Sequence, residues 1–226
     1  MIRIFIGYDE NETVAYHVLA HSIMRNSTEP VEITPLIKGH FSKFYNRERS
    51  KIESTDFSFT RFLVPYLSNY EGWALFTDCD MLVTSDIAEL WALRREEYSL
   101  MCVRHDYQPV DDTKFLGAVQ TKYEKKNWSS VMMFNNAKCT ALTPAVVESE
   151  TGLFLHQFKW LSDESQIGAL PSEWNYLVGE SSAPIAKPKL IHYTLGGPYF
   201  DDYVDSEFAD LWREEFQRMT YSTRSK

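Results

Sequence analysis

The stretch Trp73–Ser85 reads "WALFTDCDMLVTS" and places two aspartates, Asp78 and Asp80, between two apolar runs. Short apolar runs of this kind predict buried β-strands. A carboxylate at the edge of a core is costly to remove from water, so each aspartate needs a partner. The motif leaves three kinds of partner open: a structural hydrogen bond, a metal ion, or a phosphoryl group of a substrate.

The composition is that of a globular protein with one substantial core, or with a core and a small subdomain. The 226 residues are 44% hydrophobic and 24% charged, which is ordinary for a soluble domain. The formal net charge of −9 argues against nucleic acid as a partner, because binding a duplex depends on phosphate neutralisation by lysine and arginine. A small phosphorylated ligand is not excluded, since a metal and a few basic groups can hold it.

Cysteine usage and hydropathy predict a cytoplasmic protein. The three cysteines are Cys79, Cys102 and Cys139, an odd number without a CxxC motif, which favours a reducing compartment. The apolar run near the N-terminus is too short for a signal peptide, and no later segment reaches the length of a membrane span. We therefore expect no membrane span.

The chain opens with a strand, a helix and a second strand. "IRIFIG" and "VEITPLI" are strand-like, and "TVAYHVLAHSIMRNS" between them has apolar residues at helical spacing. A β-α-β opening predicts a parallel sheet with covering helices. Without an internal repeat or low-complexity tract, one α/β domain over 1–226 explains the chain, with a terminal helix over about 206–219.

Farther along, the pattern predicts a helix over 56–70 that is capped by Asp56 and kinked or shortened at Pro65. It predicts one strand over 73–83, followed by a helix capped by Ser85. Helical patterns cover much of 138–169. The polar segment 106–127 is predicted to be a long loop over the site, where it serves as an acceptor platform or lid, or is a plain flexible loop.

Three segments bring polar side chains to one predicted edge of the sheet. Tyr8 and Asp9 follow the first strand, Asp78 and Asp80 follow a middle strand, and His192 ends a late one. Ligands of open α/β sheets bind outside the carboxyl ends of the strands. We therefore expect the functional site at this edge.

The residue types at this edge suit a divalent metal. Residues i and i+2 of an extended chain point to one side, and two converging carboxylates repel each other unless a cation lies between them. Mg²⁺ and Mn²⁺ prefer carboxylate oxygen, and the imidazole of His192 favours Mn²⁺. Taken singly, Asp78 and Asp80 would more often be surface or capping residues, and His192 a core or surface residue before a turn. Gly196 and Gly197 would let the backbone approach phosphate oxygens, or simply form a turn.

Six segments follow the order in which a known enzyme family has them. By these segments the sequence resembles the family 8 glycosyltransferases, which include glycogenin and bacterial galactosyl- and glucosyltransferases. The likeness spans about residues 2–200, and its specificity lies in the ordered combination. The segments are "YDENETVAYHVLAHSI", "FTRFLVPYL", "WALFTDCDMLVTSDIAEL", "SSVMMFN", "SDESQIGALPSEWNYL" and "LIHYTLGGP".

This resemblance implies a GT-A fold, a Rossmann-like architecture with a mixed, mostly parallel sheet flanked by helices. It implies a hexosyltransferase that uses a nucleoside diphosphate sugar, usually a UDP-sugar, with Mn²⁺ (or Mg²⁺), and retains the anomeric configuration. The expected partners are this donor and a carbohydrate or other hydroxyl acceptor. The resemblance assigns the metal to Asp78, Asp80 and His192, the uridine to Tyr8 and Asp9, the donor sugar and phosphates to Arg61, and the donor-facing catalytic pair to Asp163 and Glu164.

The chain departs from the family pattern at two places. The family's final motif carries a lysine before its proline, whereas "HYTLGGPYF" has none and has Tyr199 in place of tryptophan. A cation for the phosphates is then expected from Arg61 or from the basic loop around 43–49. Trp128, Ser129 and Ser130 replace the usual Asn-x-Gly, which leaves the donor sugar open.

Glu164 stands where the family has glutamine. A glutamate there could be the nucleophile of a double displacement. The alternative, and the more common role of such a segment, is an acid in the first turn of a helix capped by Ser162. Trp174 and Asn175 are candidates for the acceptor site because aromatic faces stack on sugar rings, with core packing as the alternative.

Two other function classes compete with a transferase. In a haloacid-dehalogenase-like phosphatase, Asp78 would be the phosphoryl nucleophile and Asp80 the acid, but Leu82 stands where that motif has threonine or valine. A GT-A protein that binds nucleotide sugars without turnover is the second alternative, because a fold does not fix a function.

Overall fold

A computed structural model of the protein describes residues 1–49, 53–105, 124–181 and 184–221. The helices are α1 (Thr13–Asn26), α2 (Val64–Leu67), α3 (Ile87–Ala92), α4 (Pro144–Ser149), α5 (Gly152–His156) and α6 (Ala209–Thr220). The strands are β1 (Ile2–Gly7), β2 (Val31–Leu36), β3 (Trp73–Thr77), β4 (Met81–Val83), β5 (Leu100–Val103), β6 (Val131–Asn135), β7 (Ile167–Leu170), β8 (Tyr176–Leu177) and β9 (Leu190–His192).

Six strands of the described chain form the main sheet, in the order β2-β1-β3-β6-β5-β7. The pairs β1–β2, β1–β3 and β5–β7 are parallel, whereas β6 runs antiparallel to both of its neighbours. The central strands are buried on both faces, which explains their continuous apolar runs. The predicted α/β class with a mixed, mostly parallel sheet is confirmed, as are β1, α1 and β2.

A second, smaller sheet has the order β4-β9-β8. The expected single strand over 73–83 is therefore wrong: β3 belongs to the main sheet and β4 to the small one, and the chain bends between them at Asp78–Asp80. Both apolar runs were recognised correctly, but the partner of β4 lies far along the chain. Met81 pairs with His192 in the antiparallel β4–β9 register, so the bend brings His192 next to the two aspartates.

Two apolar cores correspond to the two sheets. The larger core packs around the main sheet. The smaller one joins α1, the small sheet and α6 through Val18, Leu82, Ile191 and Trp212. Helix α6 is also tied to α1 by the buried Glu215 carboxylate, which accepts hydrogen bonds from the side chains of two α1 residues.

Several element boundaries differ from the sequence expectations. The predicted helix over 56–70 is a 3-10 turn, Thr60–Leu63, followed by α2, and Pro65 lies in the first turn of α2, where a missing N–H costs nothing. Asp86 rather than Ser85 caps α3. The end of the expected helical region is the strand β7, held by its pairing with β5. Of the loop expected over 106–127, residues 106–123 lie outside the described chain.

Candidate active site

Asp78, Asp80 and His192 meet at the bend between the two sheets. One ligand atom of each, a carboxylate oxygen or an imidazole nitrogen, lies within 4.8 Å of the others. His192 Nε2 is 3.4 Å from Asp80 Oδ1, and the imidazole is 3% exposed. Two carboxylates and one imidazole form a donor set that suits Mn²⁺ or Mg²⁺. We call these three residues the triplet.

The environment of His192 fixes which of its nitrogens can bind a metal. Asn175 Nδ2 donates to the Asn127 carbonyl and to Ser130 Oγ, at 3.4 and 2.8 Å, so its Oδ1 is the atom that faces His192. His192 Nδ1 lies 3.0 Å from that oxygen and must carry the proton. The lone pair of the ring is therefore on Nε2, which points toward Asp80, as metal-binding histidines require.

Arg61 is buried against the triplet. Its Nη1 lies 2.8 Å from Asp78 Oδ1 and donates to the Ser129 carbonyl at 2.8 Å. The guanidinium also lies over the rings of Phe57 and Phe76, at 5.3 and 5.0 Å from their centroids. Its charge therefore offsets that of Asp78 within the folded chain.

A third buried carboxylate, Glu12, lies behind the aspartates. Tyr199 donates its hydroxyl to Glu12 Oε1 at 2.7 Å, and Cys79 Sγ lies 3.8 Å from Oε2. Burial, and next the negative charge of Asp80, raise the pKa of Glu12 to about 8. Sequence reasoning missed this residue, because an acid before a helix is usually an exposed first-turn residue.

The carboxyl end of β1 also reaches this edge, as predicted. Asp9 accepts hydrogen bonds from the backbone N–H groups of Asn11 and Asp56, both at 2.9 Å, and is 3% exposed. The hydroxyls of Tyr8 and Thr13 are 3.1 Å apart. Asp9 therefore fixes the chain that follows β1, and Tyr8 is the more accessible of the two residues expected at the uridine.

The sequence comparisons agree with this geometry. A family model described as Glycosyl transferase family 8 matches residues 17–141. Protein CDI of Arabidopsis thaliana is 51% identical over 223 residues, and the match covers 95% of this chain and 86% of that protein. The chain belongs to glycosyl transferase family 8.

Solved glycosyltransferase structures share the fold of this family 8 member. The bifunctional glycosyltransferase WbbM superposes with a TM-score of 0.65 at 17% identity over 95% of this chain, which spans about half (49%) of the WbbM chain. The galactosyltransferase LgtC, solved with donor and acceptor sugar analogues, has a TM-score of 0.63 at 14% identity, covering 99% of this chain and 98% of LgtC. The expected GT-A fold is confirmed.

The two glycines of this family 8 chain's final motif make room for aromatic rings. Gly196 has φ +147°, and a Cβ there would lie 2.6 Å from the ring of Tyr203. A Cβ on Gly197 would lie 2.2 Å from the ring of Tyr199. The structure thus gives these glycines a packing role, and their approach to a phosphate stays a prediction.

The described interactions of Asp163 and Glu164 are with residues other than the triplet. Asp163 Oδ1 accepts from the Ser165 N–H at 2.7 Å and caps the 3-10 turn Glu164–Gln166, so the cap is Asp163 rather than Ser162. Hydrogen bonds from Ser165 lower the pKa of Asp163. The Glu164 side chain is 80% exposed and pairs with Lys125 at the rim of a pocket of about 440 Å³.

The remaining expected residues are engaged in packing or capping. Trp174 is 1% exposed and lies in the core, as the alternative interpretation had it, whereas Asn175 supports His192. Arg47 donates to three carbonyls at the end of α4 and lies over Phe59. Arg49 pairs with Asp56 at 2.9 Å. Neither arginine of the basic loop contacts the triplet in these interactions.

Two half-buried histidines were not anticipated. His105 follows β5, and burial, with a smaller contribution from nearby His192, lowers its pKa to about 4. Burial lowers the pKa of His156 to about 3, with Arg61 as the next cause. Both imidazoles are neutral at pH 7. Single histidines in otherwise unremarkable segments gave no signal in the sequence.

Among the helices of the described ranges, none has the length and apolar character needed to cross a bilayer.

Proposed function

We propose that this family 8 glycosyltransferase moves a hexose from a nucleoside diphosphate sugar, in the first instance a UDP-sugar, to a carbohydrate or other hydroxyl acceptor, with retention of configuration. The convergence of Asp78, Asp80 and His192 supports the proposal. The three cysteines of the protein are free and buried. This agrees with a reducing, cytoplasmic setting.

The triplet would hold Mn²⁺, or alternatively Mg²⁺, through two carboxylate oxygens and His192 Nε2. When bound, such a cation neutralises the charge that develops on the departing diphosphate. The chain's own residues prepare this site: Asn175 holds His192 in the Nδ1–H tautomer, and Arg61 orients Asp78. The burial of these groups keeps their orientation fixed before substrate binds.

We propose front-face transfer rather than double displacement. The acceptor hydroxyl attacks the anomeric carbon from the side that the diphosphate leaves, and its proton passes to a phosphate oxygen of the leaving group. This route needs no carboxylate nucleophile. It is favoured because Glu164 is exposed and paired with Lys125 in the described arrangement.

Replacing Glu164 by glutamine separates the two mechanisms. We expect Glu164→Gln to transfer sugar within about tenfold of the wild-type rate, whereas loss of an essential nucleophile costs several orders of magnitude. The measurement is the initial rate of product formation at saturating donor. A collapse of that rate in a folded variant would establish the nucleophile role instead.

A thermal-shift panel of nucleotide sugars, with and without Mn²⁺, tests the proposed function. A true donor should raise the melting temperature only when metal is present, because the metal would hold its diphosphate. A ligand at 100 times its Kd adds about 2.7 kcal/mol to the free energy of unfolding. Asp80→Asn should abolish this response. Asp210→Asn is the matched control, because Asp210 is 93% exposed in α6. If no nucleotide sugar raised the melting temperature of the wild type, the proposal would be contradicted.

Binding without turnover is a second candidate. It is favoured by the missing motif lysine together with the engagement of Arg47 and Arg49 elsewhere. A donor that stabilises the protein but is neither transferred nor hydrolysed would support it. The phosphatase alternative loses its support, because the family is one of glycosyltransferases.

A further inference from the structure

The turn Trp128–Ser130 precedes β6 and lies beside the carboxyl end of β3. Ser129 and Ser130 are 4% and 3% exposed. Their side chains do not face an open site, because both hydroxyls are used inside the chain. Ser129 Oγ lies 2.7 Å from His156 Nδ1, and Ser130 Oγ donates to the Asn127 carbonyl at 2.7 Å.

Ser130 is linked to Asp78 directly and to His192 through Asn175. On one side, its carbonyl accepts a hydrogen bond from the backbone N–H of Asp78 at 3.0 Å. On the other side, its Oγ accepts from Asn175 Nδ2 at 2.8 Å, and Asn175 Oδ1 in turn accepts from His192 Nδ1 at 3.0 Å. Asp78 leaves the main sheet and His192 ends β9 of the small sheet. Ser130 therefore links the two groups that a metal must bring together.

The Ser130 hydroxyl is the shorter of the two anchors of the Asn175 amide. The other is the Asn127 carbonyl, at 3.4 Å. Without the hydroxyl, the Asn175 amide can rotate, and its NH₂ group can then face His192 Nδ1. That nitrogen would become the acceptor, the ring proton would move to Nε2, and the lone pair aimed at Asp80 would be lost.

We propose that Ser130 is a positioning residue that holds His192 in its metal-binding tautomer through Asn175. This inference rests on the proposed metal-dependent function. In this arrangement the Ser130 hydroxyl holds Asn175, and Asn175 in turn holds the metal ligand His192. Removal of a group that hydrogen-bonds a ligand directly, as Asn175 does, typically changes metal affinity by 10–100-fold, and loss of the Ser130 hydroxyl would act through that group.

The test compares Ser130→Ala with the wild type and with Ser22→Ala. Ser22 is a matched control because it is fully buried, donates one hydrogen bond to the Leu19 carbonyl and accepts one from the Val83 N–H. We expect Ser130→Ala to weaken Mn²⁺ binding at least tenfold in a titration followed by electron paramagnetic resonance. Ser22→Ala should lose stability but keep the wild-type Mn²⁺ affinity.

A second readout needs no metal. In metal-free protein, ¹⁵N NMR of the imidazoles should show His192 as the Nδ1–H tautomer in the wild type and a shift toward Nε2–H in Ser130→Ala. Ser130→Cys, which fills the same space with a weak acceptor, replaces the alanine variant if that one does not fold. A folded variant with wild-type Mn²⁺ affinity and an unchanged tautomer overturns the inference. If the wild type binds no Mn²⁺, the metal proposal fails, and the tautomer alone decides the role of Ser130.

Discussion

Ionisable side chains around the triplet are buried and have partners within the chain. Arg61 offsets Asp78, and Tyr199 donates to Glu12. Asp78 and the histidine of the triplet were predictable, because carboxylates and imidazoles at strand ends are a recognisable pattern. Glu12 was not, since its burial depends on a tyrosine 187 positions away. Sequence patterns report residue types and local spacing, whereas burial is set by contacts between distant segments.

Arg61 should stabilise the metal-free protein by compensating Asp78. We expect Arg61→Gln to lower the free energy of unfolding by about 3 kcal/mol, the usual cost of leaving a buried charge alone. Urea denaturation in the presence of a chelator measures this. The double variant Arg61→Gln/Asp78→Asn should lose less than the sum of the single losses. Additive losses would show that the two side chains are not coupled.

His156 makes stability fall in mild acid. Burial lowers its pKa to about 3 in the folded protein, whereas the unfolded chain takes up a proton near pH 6.5. The contribution is complete above about pH 6.5 and decreases toward pH 3, with a slope of about 1.4 kcal/mol per pH unit. Between pH 5 and 7, the free energy of unfolding should therefore change less with pH in His156→Asn than in the wild type. Parallel curves for wild type and variant would contradict this; His105 acts in the same direction in both.

At the scale of elements, the sequence predicted most of the strands but not their partners, and it missed β7 and β8. The apolar runs on both sides of Asp78–Asp80 were recognised, but "MLV" pairs with residues 190–192 in another sheet. Strand β7 was hidden in a helical pattern because "IGAL" is too short to show a period of its own. Pairing and sheet membership are tertiary properties, so a local pattern cannot supply them.

The turn after β9 should depend on Gly196. An alanine there combines φ +147° with a Cβ 2.6 Å from the ring of Tyr203, so we expect a loss of about 2 kcal/mol or more. Gly39→Ala is the control, because its Cβ would meet nothing within 4 Å. Thermal unfolding compares the two variants. Equal melting temperatures would show that the turn relaxes without cost.

At the scale of the whole molecule, α1 and α6 both pack against the small sheet. The two helices are joined by Glu215, whose side chain is 3% exposed and accepts hydrogen bonds from His21 Nδ1 and from Arg25 at 2.7–3.0 Å. The amphipathic terminal helix was predictable from its apolar spacing, but this long-range pairing was not. Because both cores contain residues of α1, we propose that the described parts of the chain unfold as one unit.

Glu215 and its neighbour provide a direct comparison. Glu215→Gln should destabilise the protein by about 1.5 kcal/mol, because Arg25 and His21 lose their hydrogen bonds to a charged, buried carboxylate. Glu214→Gln should change stability by less than about 0.5 kcal/mol, since its side chain is 60% exposed and contacts only Arg218 in the described pairs. Chemical denaturation of both variants at pH 7 gives the difference. Similar values for the two would disprove a special role for Glu215.

If the triplet holds a metal as proposed, the bend at Asp78–Asp80 would also make local opening of the chain depend on the metal concentration. Asp78 follows β3 of the main sheet, whereas His192 ends β9 of the small sheet, so a bound cation would be a cross-link between the sheets. Any opening that separates them would have to proceed through metal-free molecules. Amide protons of β4, β8 and β9 would then exchange more slowly by a factor of 1 + [metal]/Kd, whereas those of the distant β2 would keep their rates.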